Sequence, residues 1–236
     1  MKLIAKLLGL TSLIVAGGLH AAPVGIADPS QLNANDSVAW SQLGNDGDNV
    51  GPAFSATSAL GKTVTGSLAG GAGCLTIVTN GVNCSWTAGT GFNVGDAVIW
   101  ANNGVGTGAL TLNFSGVLGA GLYLQPDTFG DFTAEVQIFT GSVLAATQIV
   151  NSNAAGDAVF LGGKDSLAGI TSMQFSLLSC GGSANSGCDV NDFAVNTLLL
   201  EDAGAAVPEP ATGALVGLSL AGLYAAGRRR RAAAVL

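Results

Sequence analysis

Three features of the sequence predict an all-β fold, an antiparallel β-sandwich of jelly-roll type. Apolar and polar residues alternate in short runs over most of the chain, the signature of half-buried strands. Turn signals fall between the runs: Asn80-Gly81, Asn103-Gly104, Asp127 to Gly130, Thr140-Gly141 and Gly162-Gly163. Composition agrees, with 36 Gly, only 10% charged residues and an abundance of Ala, Ser, Thr, Asn and Val, which disfavours helix and suits strands joined by tight turns. The chain ends stand apart, and three segments follow: residues 1–21, a sandwich domain at 22–202, and a tail at 203–231.

The first segment reads as a secretory signal peptide. Lys2 and Lys6 flank Leu3-Ile4-Ala5, an apolar run spans Leu7 to Leu19, and His20-Ala21-Ala22-Pro23 supplies small residues at the cut. Cleavage is expected after Ala21, because a proline directly behind the scissile bond hinders the peptidase, with Ala22 as the alternative cut. In the body, strands are expected at Val38–Leu43, Thr63–Leu68, Leu75–Thr79, Ala97–Trp100, Leu110–Phe114 and Leu118–Leu124, then at Asp131–Thr140, Ser142–Val150, Ala158–Leu161, Ile170–Leu178 and Phe193–Leu200. Asp131–Thr140 alternates most strictly: Phe132, Ala134, Val136 and Ile138 take one face, and Thr133, Glu135 and Gln137 the other. In Leu118–Leu124, Gly119 and Gly121 lie opposite the leucines, where a second backbone or a ligand can approach.

The cysteines form two local pairs, Cys74/Cys84 and Cys180/Cys188. An even count in an exported chain favours disulfides, and nearest-neighbour bridges are the preferred pairing among three. Each would close a loop of about ten residues, contributing roughly 2–3 kcal/mol.

At the far end come Val207-Pro208-Glu209-Pro210, an uncharged apolar stretch over 211–226, and Arg228-Arg229-Arg230-Arg231. The prolines keep the tetrapeptide extended and readable by another protein. A helix over 211–226 would cover about 24 Å, slightly short of a bilayer core, and the arginines form a stop-transfer block that stays cytoplasmic. This order of parts resembles the PEP-CTERM sorting signal of exopolysaccharide-producing Gram-negative bacteria. The resemblance implies exosortase as the processing partner, a transient stay in the inner membrane, and a final place at the cell surface or in the extracellular matrix. A plain tail anchor is the other reading. Residues 34–44 and 189–196 also resemble the opening and closing strands of PEP-CTERM exoproteins with a jelly-roll-like body.

Once both ends are set aside, the chemistry narrows. Every arginine lies in the tail, and His20 lies in the signal peptide. The body keeps Lys62 and Lys164 against fourteen acids, a net charge of about −12. Such a surface repels nucleic acid, which is excluded as a partner. Without His or Arg there is no Ser-His-Asp system, no HExxH zinc site and no phosphate clamp. The protein is therefore expected to be non-enzymatic. The one catalytic alternative is a carboxylate-only glycoside hydrolase built on Glu135 with Asp131 or Asp127.

Two binding candidates remain. Asp46 and Asp48, within Asn45–Asn49, and Asp189 and Asp192 offer hard oxygen ligands for calcium, the one cofactor this composition suits. The two clusters could share an ion if the first and last strands meet, although the same residue types also close ordinary Asx turns. Trp86, two residues after Cys84 and before a Gly-rich run, is the aromatic expected to be exposed and to stack on a sugar of an extracellular polysaccharide; Trp40 and Trp100 are expected in the core. The leading expectation is a structural or adhesive surface or biofilm-matrix protein, with a calcium-assisted carbohydrate-binding module as the alternative.

Overall fold

The computed structural model describes residues 21–68, 73–78, 86, 91–101, 109–128, 130–167, 169–181 and 188–203. Its strands are β1 (Val24–Ile26), β2 (Asp36–Val38), β3 (Asn49–Val50), β4 (Ala53–Thr57) and β5 (Thr63–Leu68); then β6 (Gly73–Ile77), β7 (Ala97–Ala101), β8 (Leu110–Val117), β9 (Gly119–Pro126) and β10 (Phe132–Thr140); and finally β11 (Val143–Asn151), β12 (Val159–Lys164), β13 (Ile170–Cys180), β14 (Phe193–Val195) and β15 (Leu198–Glu201). Nine form one antiparallel sheet, ordered β1-β12-β9-β14-β7-β6-β3, with β15 bridging β9 and β2 beside that path. Six form the other, ordered β11-β10-β13-β8-β5-β4.

Period-two patterning explains why the sheets pack face to face. On β10, Phe132, Ala134, Val136 and Ile138 are buried and the residues between them are not. On β5, Val64 and Leu68 turn in while Thr63, Thr65 and Ser67 face water. These side chains meet Leu75, Ile99, Leu122, Leu124, Phe193 and Leu200 of the nine-stranded sheet in one continuous core. The core buries large aliphatic side chains, each worth roughly 1.5–3 kcal/mol. The all-β, two-sheet expectation is met.

The outer faces differ. Over the nine-stranded sheet, Trp86 and Phe92 cover Val98, Ala194 and Trp100 in a second cluster, and Leu32 with Ile26 covers Phe160 in a third. Over the six-stranded sheet no second apolar cluster forms among the described residues. Its outward side chains line up in cross-strand rows. One runs Thr147, Gln137, Gln174, Thr111, Ser67, Ala53 across all six strands; the next runs Leu144, Phe139, Ser172, Asn113, Thr65, Ser55.

Three expectations are corrected. The segment Val38–Leu43 does not continue as a strand: β2 ends at Val38, and Trp40–Leu43 is a 3₁₀ turn. The turn carries the Trp40 ring into the core, where its Nε1 donates to the Asn196 carbonyl at 2.6 Å. Gln42 locks it from outside, donating to the carbonyls of Ala39 and Thr57 and accepting from the Thr57 amide. Gly162-Gly163 is not a turn but part of β12, opposite Gly121 and Ala120 of β9. A Cβ on Gly162 would meet the Ala120 carbonyl and the Phe160 ring, and one on Gly163 the Ile138 side chain, so glycine here permits close packing. Finally, Phe193–Leu200 is two strands. Asn196 interrupts it, its Oδ1 accepting from the Tyr123 amide at 3.0 Å, so that the chain passes from pairing with β7 and β9 to pairing with β2 and β9. Strands β1, β3 and β4 went unpredicted.

Candidate functional site

The body's charge is resolved at one place, the point where the chain leaves the sandwich. The last strand, β15, ends at Glu201. The Glu201 carboxylate meets the Lys164 ammonium at 2.9 Å, and the Asp202 carboxylate meets the Lys62 ammonium at 3.2 Å. Both lysines of the body are thus committed to the two residues that precede the tail. Glu201 is buried, and its Oε2 also accepts from the Asn33 amide at 3.2 Å. Asn35 grips Asp202 in both directions, donating from Nδ2 to its carbonyl at 3.0 Å and accepting its amide at 2.8 Å. Each lysine is tied to the backbone as well, Lys62 to the Gly116 carbonyl and Lys164 to that of Gln31.

Topology explains why these groups converge. Val24 pairs with Lys164, Lys164 with Gly119, and Gly119 with Glu201. The row spans three strand spacings, about 14 Å. Strand directions alternate along it, so the start of β1 and the end of β15 lie at the same pole. Lys62 arrives from the β4–β5 turn of the other sheet, closing the pole from the second layer. No sequence signal marked this clamp, because its members are far apart in the chain. The only hint was that a body this acidic retains two lysines.

The predicted calcium ligands do not converge. Asp48 closes its own turn, with Oδ2 accepting from the Asn45 amide at 2.6 Å and from its Nδ2 at 3.3 Å, and Gly47 supplies the positive φ of 86°. Asp189 does likewise for the Asn191 amide at 2.9 Å. Asn49 pairs with Cys74, Cys74 with Trp100, and Trp100 with Ala194, which puts the two clusters about 14 Å apart across the sheet. One ion cannot bridge that distance, so the shared site is corrected. Among the described residues no three His, Cys, Asp or Glu side chains gather around a common point.

Asp192 instead accepts from Trp100 Nε1 at 2.6 Å. Burial pushes its carboxyl above the usual carboxylate range, and neighbouring Asp127 and Asp189 push the same way against the Trp100 bond. Burial raises Asp127 too. Of the other proposed acids, Glu135 sits on the outer face of the six-stranded sheet and accepts from Gln137 Nε2 at 2.8 Å.

Trp86 is only 4% exposed. It packs edge-on against Trp100 and beside Phe92, and its Nε1 donates to Gln125 Oε1 at 3.1 Å. The exposure on which sugar stacking depends is absent, a correction with a clear cause: an exported sheet face bearing Val98 and Trp100 needs a cover, and Trp86 provides it. Trp40 is in the core as expected, whereas Trp100 is half-buried. Cys180 and Cys188 are bridged, with Cα atoms 5.9 Å apart. Cys74 is disulfide-bonded; Cys84 lies outside the described residues.

The signal peptide, the motif Val207–Pro210, the apolar stretch 211–226 and Arg228–Arg231 also lie outside the described residues, within which no helix is long and apolar enough to cross a membrane. No curated protein matches the chain. Among solved structures, an exo-beta-1,3-galactanase from Phanerochaete chrysosporium, crystallised with galactose, is 14% identical, covering 71% of this chain and 29% of its own, with a TM-score of 0.24. The chain spans under a third of that enzyme, and a likeness this slight carries no argument. Residues 206–231 match the PEP-CTERM protein-sorting motif; the chain carries that signal immediately behind the clamped strand, which implies an exported protein processed by exosortase.

Proposed function

We propose that the protein is a non-catalytic structural or adhesive component of the cell surface or biofilm matrix. A disulfide-stapled sandwich is the working body, and the sorted tail is its attachment. The observation that carries this reading is the clamp. Force applied through the tail enters β15, which is hydrogen-bonded on both sides by β2 and β9 and pinned at its end by two ion pairs. A body that commits both its cations to the tail exit leaves none to hold an anionic substrate. Lacking His and Arg, it has no serine–histidine type of nucleophile–base pair, and Asp127 follows β9 of one sheet whereas Glu135 stands on β10 of the other, engaged by Gln137.

The pole carrying the clamp also carries the start of β1. A signal peptide ahead of Ala22 and a membrane-inserted tail would therefore leave the domain side by side, and the folded body can stand on the inner membrane with both ends facing it during export.

Intact mass of the native protein, recovered from fractionated producing cells, tests the reading. A surface or matrix form beginning near Ala22 and ending near Pro208–Pro210 supports it. Inner-membrane protein that retains Arg228–Arg231 overturns it in favour of a tail anchor.

A further inference from the structure

We infer that the outer face of the six-stranded sheet is a contact surface for a neutral, extended polysaccharide; the inference rests on the surface or matrix reading above and names its partner. Three observations carry it. Among the described residues the face is bare, whereas the opposite sheet is roofed by Trp86, Phe92 and Leu32. It is also nearly free of charge. Of the body's fourteen acids only Glu135 projects from these six strands, already engaged by Gln137, and neither lysine does. Solvent faces of sheets ordinarily carry mixed charges that keep them soluble, so a neutral face on a body of net charge about −12 is a departure. Third, its polar groups are open: among the described residues the side chains of Ser55, Thr65, Ser67, Asn113 and Ser172 find no hydrogen-bond partner.

Charge selects the partner. An anionic polymer would be repelled by the body, and a cationic one would be drawn to the acid-rich loops and poles instead. A neutral polyhydroxylated chain suits hydroxyls and amides that each donate and accept. The two cross-strand rows extend over five strand spacings, about 24 Å, long enough for several sugar units. At one end Phe139, with the half-exposed Leu144 opposite it, offers an apolar patch for the C–H face of a pyranose ring. Single hydrogen bonds to solvent-exposed groups are weak, so retention comes from many along one chain and from repeated copies on the surface.

The test is affinity electrophoresis of the mature, disulfide-intact chain through gels containing a β-glucan, a galactan or alginate. Retardation is expected in at least one neutral polymer, insensitive to salt, with none in alginate. Thr65→Val with Thr111→Val keeps the β-branched shape and removes two hydroxyls, and it should weaken retention about tenfold. Asn113→Lys should abolish it, with both variants unfolding at the parent temperature. Migration unchanged in both neutral gels, or retention untouched by these variants, overturns the inference. So does concentration-dependent dimerisation that the same variants remove, which would make a second copy the occupant. Correct processing and surface location in the mass experiment, combined with no neutral-polymer binding, would sink this inference alone.

Discussion

Replacing Lys164 with methionine isolates the contribution of the clamp. Methionine keeps most of the aliphatic stem that lies along the protein and removes only the ammonium. Glu201 is 8% exposed, and after the change its carboxylate retains a single described donor, the Asn33 amide at 3.2 Å. A fully buried carboxylate stranded in this way costs about 3–5 kcal/mol, whereas a surface pair contributes about 0–1. The Lys164 side chain is 30% exposed and that of Glu201 11%, which places the pair between these limits, at about 2 kcal/mol. For a domain of this size that is a fall of roughly 4–8 °C in Tm. Glu201→Gln in the Lys164→Met background should recover part of the loss, because a neutral amide tolerates burial that a lone carboxylate does not. Chemical denaturation of the disulfide-intact body gives the four corners of the cycle, with an expected coupling of about 1–2 kcal/mol. A loss under about 0.5 kcal/mol together with additive singles would refute the argument, since the pair would then behave as any exposed ion pair does.

Asp192 and Asp36 predict opposite pH effects. The folded-state pKa of Asp192 is raised, so its penalty is absent below the unfolded value and grows as pH rises through the folded one; Asp192→Asn should flatten that decline in a stability–pH curve. At Asp36 burial works against the charge, but hydrogen bonds from Ser58, Leu60 and Ser37 and the charge of Lys62 outweigh it and lower the pKa. Its stabilisation is present above the unfolded value and disappears as pH falls through the folded one, so Asp36→Asn should remove the acid limb of the same curve. Gly66→Ala would drive a Cβ into the Phe54 ring, which packs edge-on against Trp40, and should cost about 1–3 kcal/mol by urea denaturation. Trp86→Ala should cost about 3–5 kcal/mol while leaving polysaccharide retention of the folded fraction unchanged; retention lost at full stability would restore Trp86 as a ligand contact.

What the sequence made legible was whatever one strand decides alone. The alternation of Phe132, Ala134, Val136 and Ile138 placed β10, and Thr63–Leu68 matches β5 from end to end. Elements decided by neighbours were hidden. β3 has two residues and exists only because Asn49 and Val50 lie against Cys74 and Gly73. Gly162-Gly163 carries a turn signature, yet the need for Phe160 and Ile138 to pack against bare backbone makes it strand. Trp86 stands beside a Gly-rich run that suggests a surface loop, and burial follows instead from the apolar outer face of a sheet not visible in that segment. The shared calcium site went the same way: local amides bond Asp48 and Asp189, and the register keeps the two clusters apart.

The distribution of charge ties the fold to its delivery. A chain carrying fourteen acids and two lysines in its body could have spread those lysines anywhere to relieve repulsion. Both lie at the pole where β15 ends, one from each sheet, and each pairs with one of the last two residues before the tail. Cations at a chain terminus do little for a domain that ends in solution, since a frayed last strand costs it little. They matter where the terminus is a handle. Fraying would then start at the point of pull, and the clamp raises the cost of that first step. The same pole holds the start of β1, which leaves the opposite pole and the nearly charge-free face of the six-stranded sheet clear of both chain ends. Under the proposed surface role, contact with surroundings and connection to the cell would fall on separate surfaces, and a substitution in one should leave the other intact.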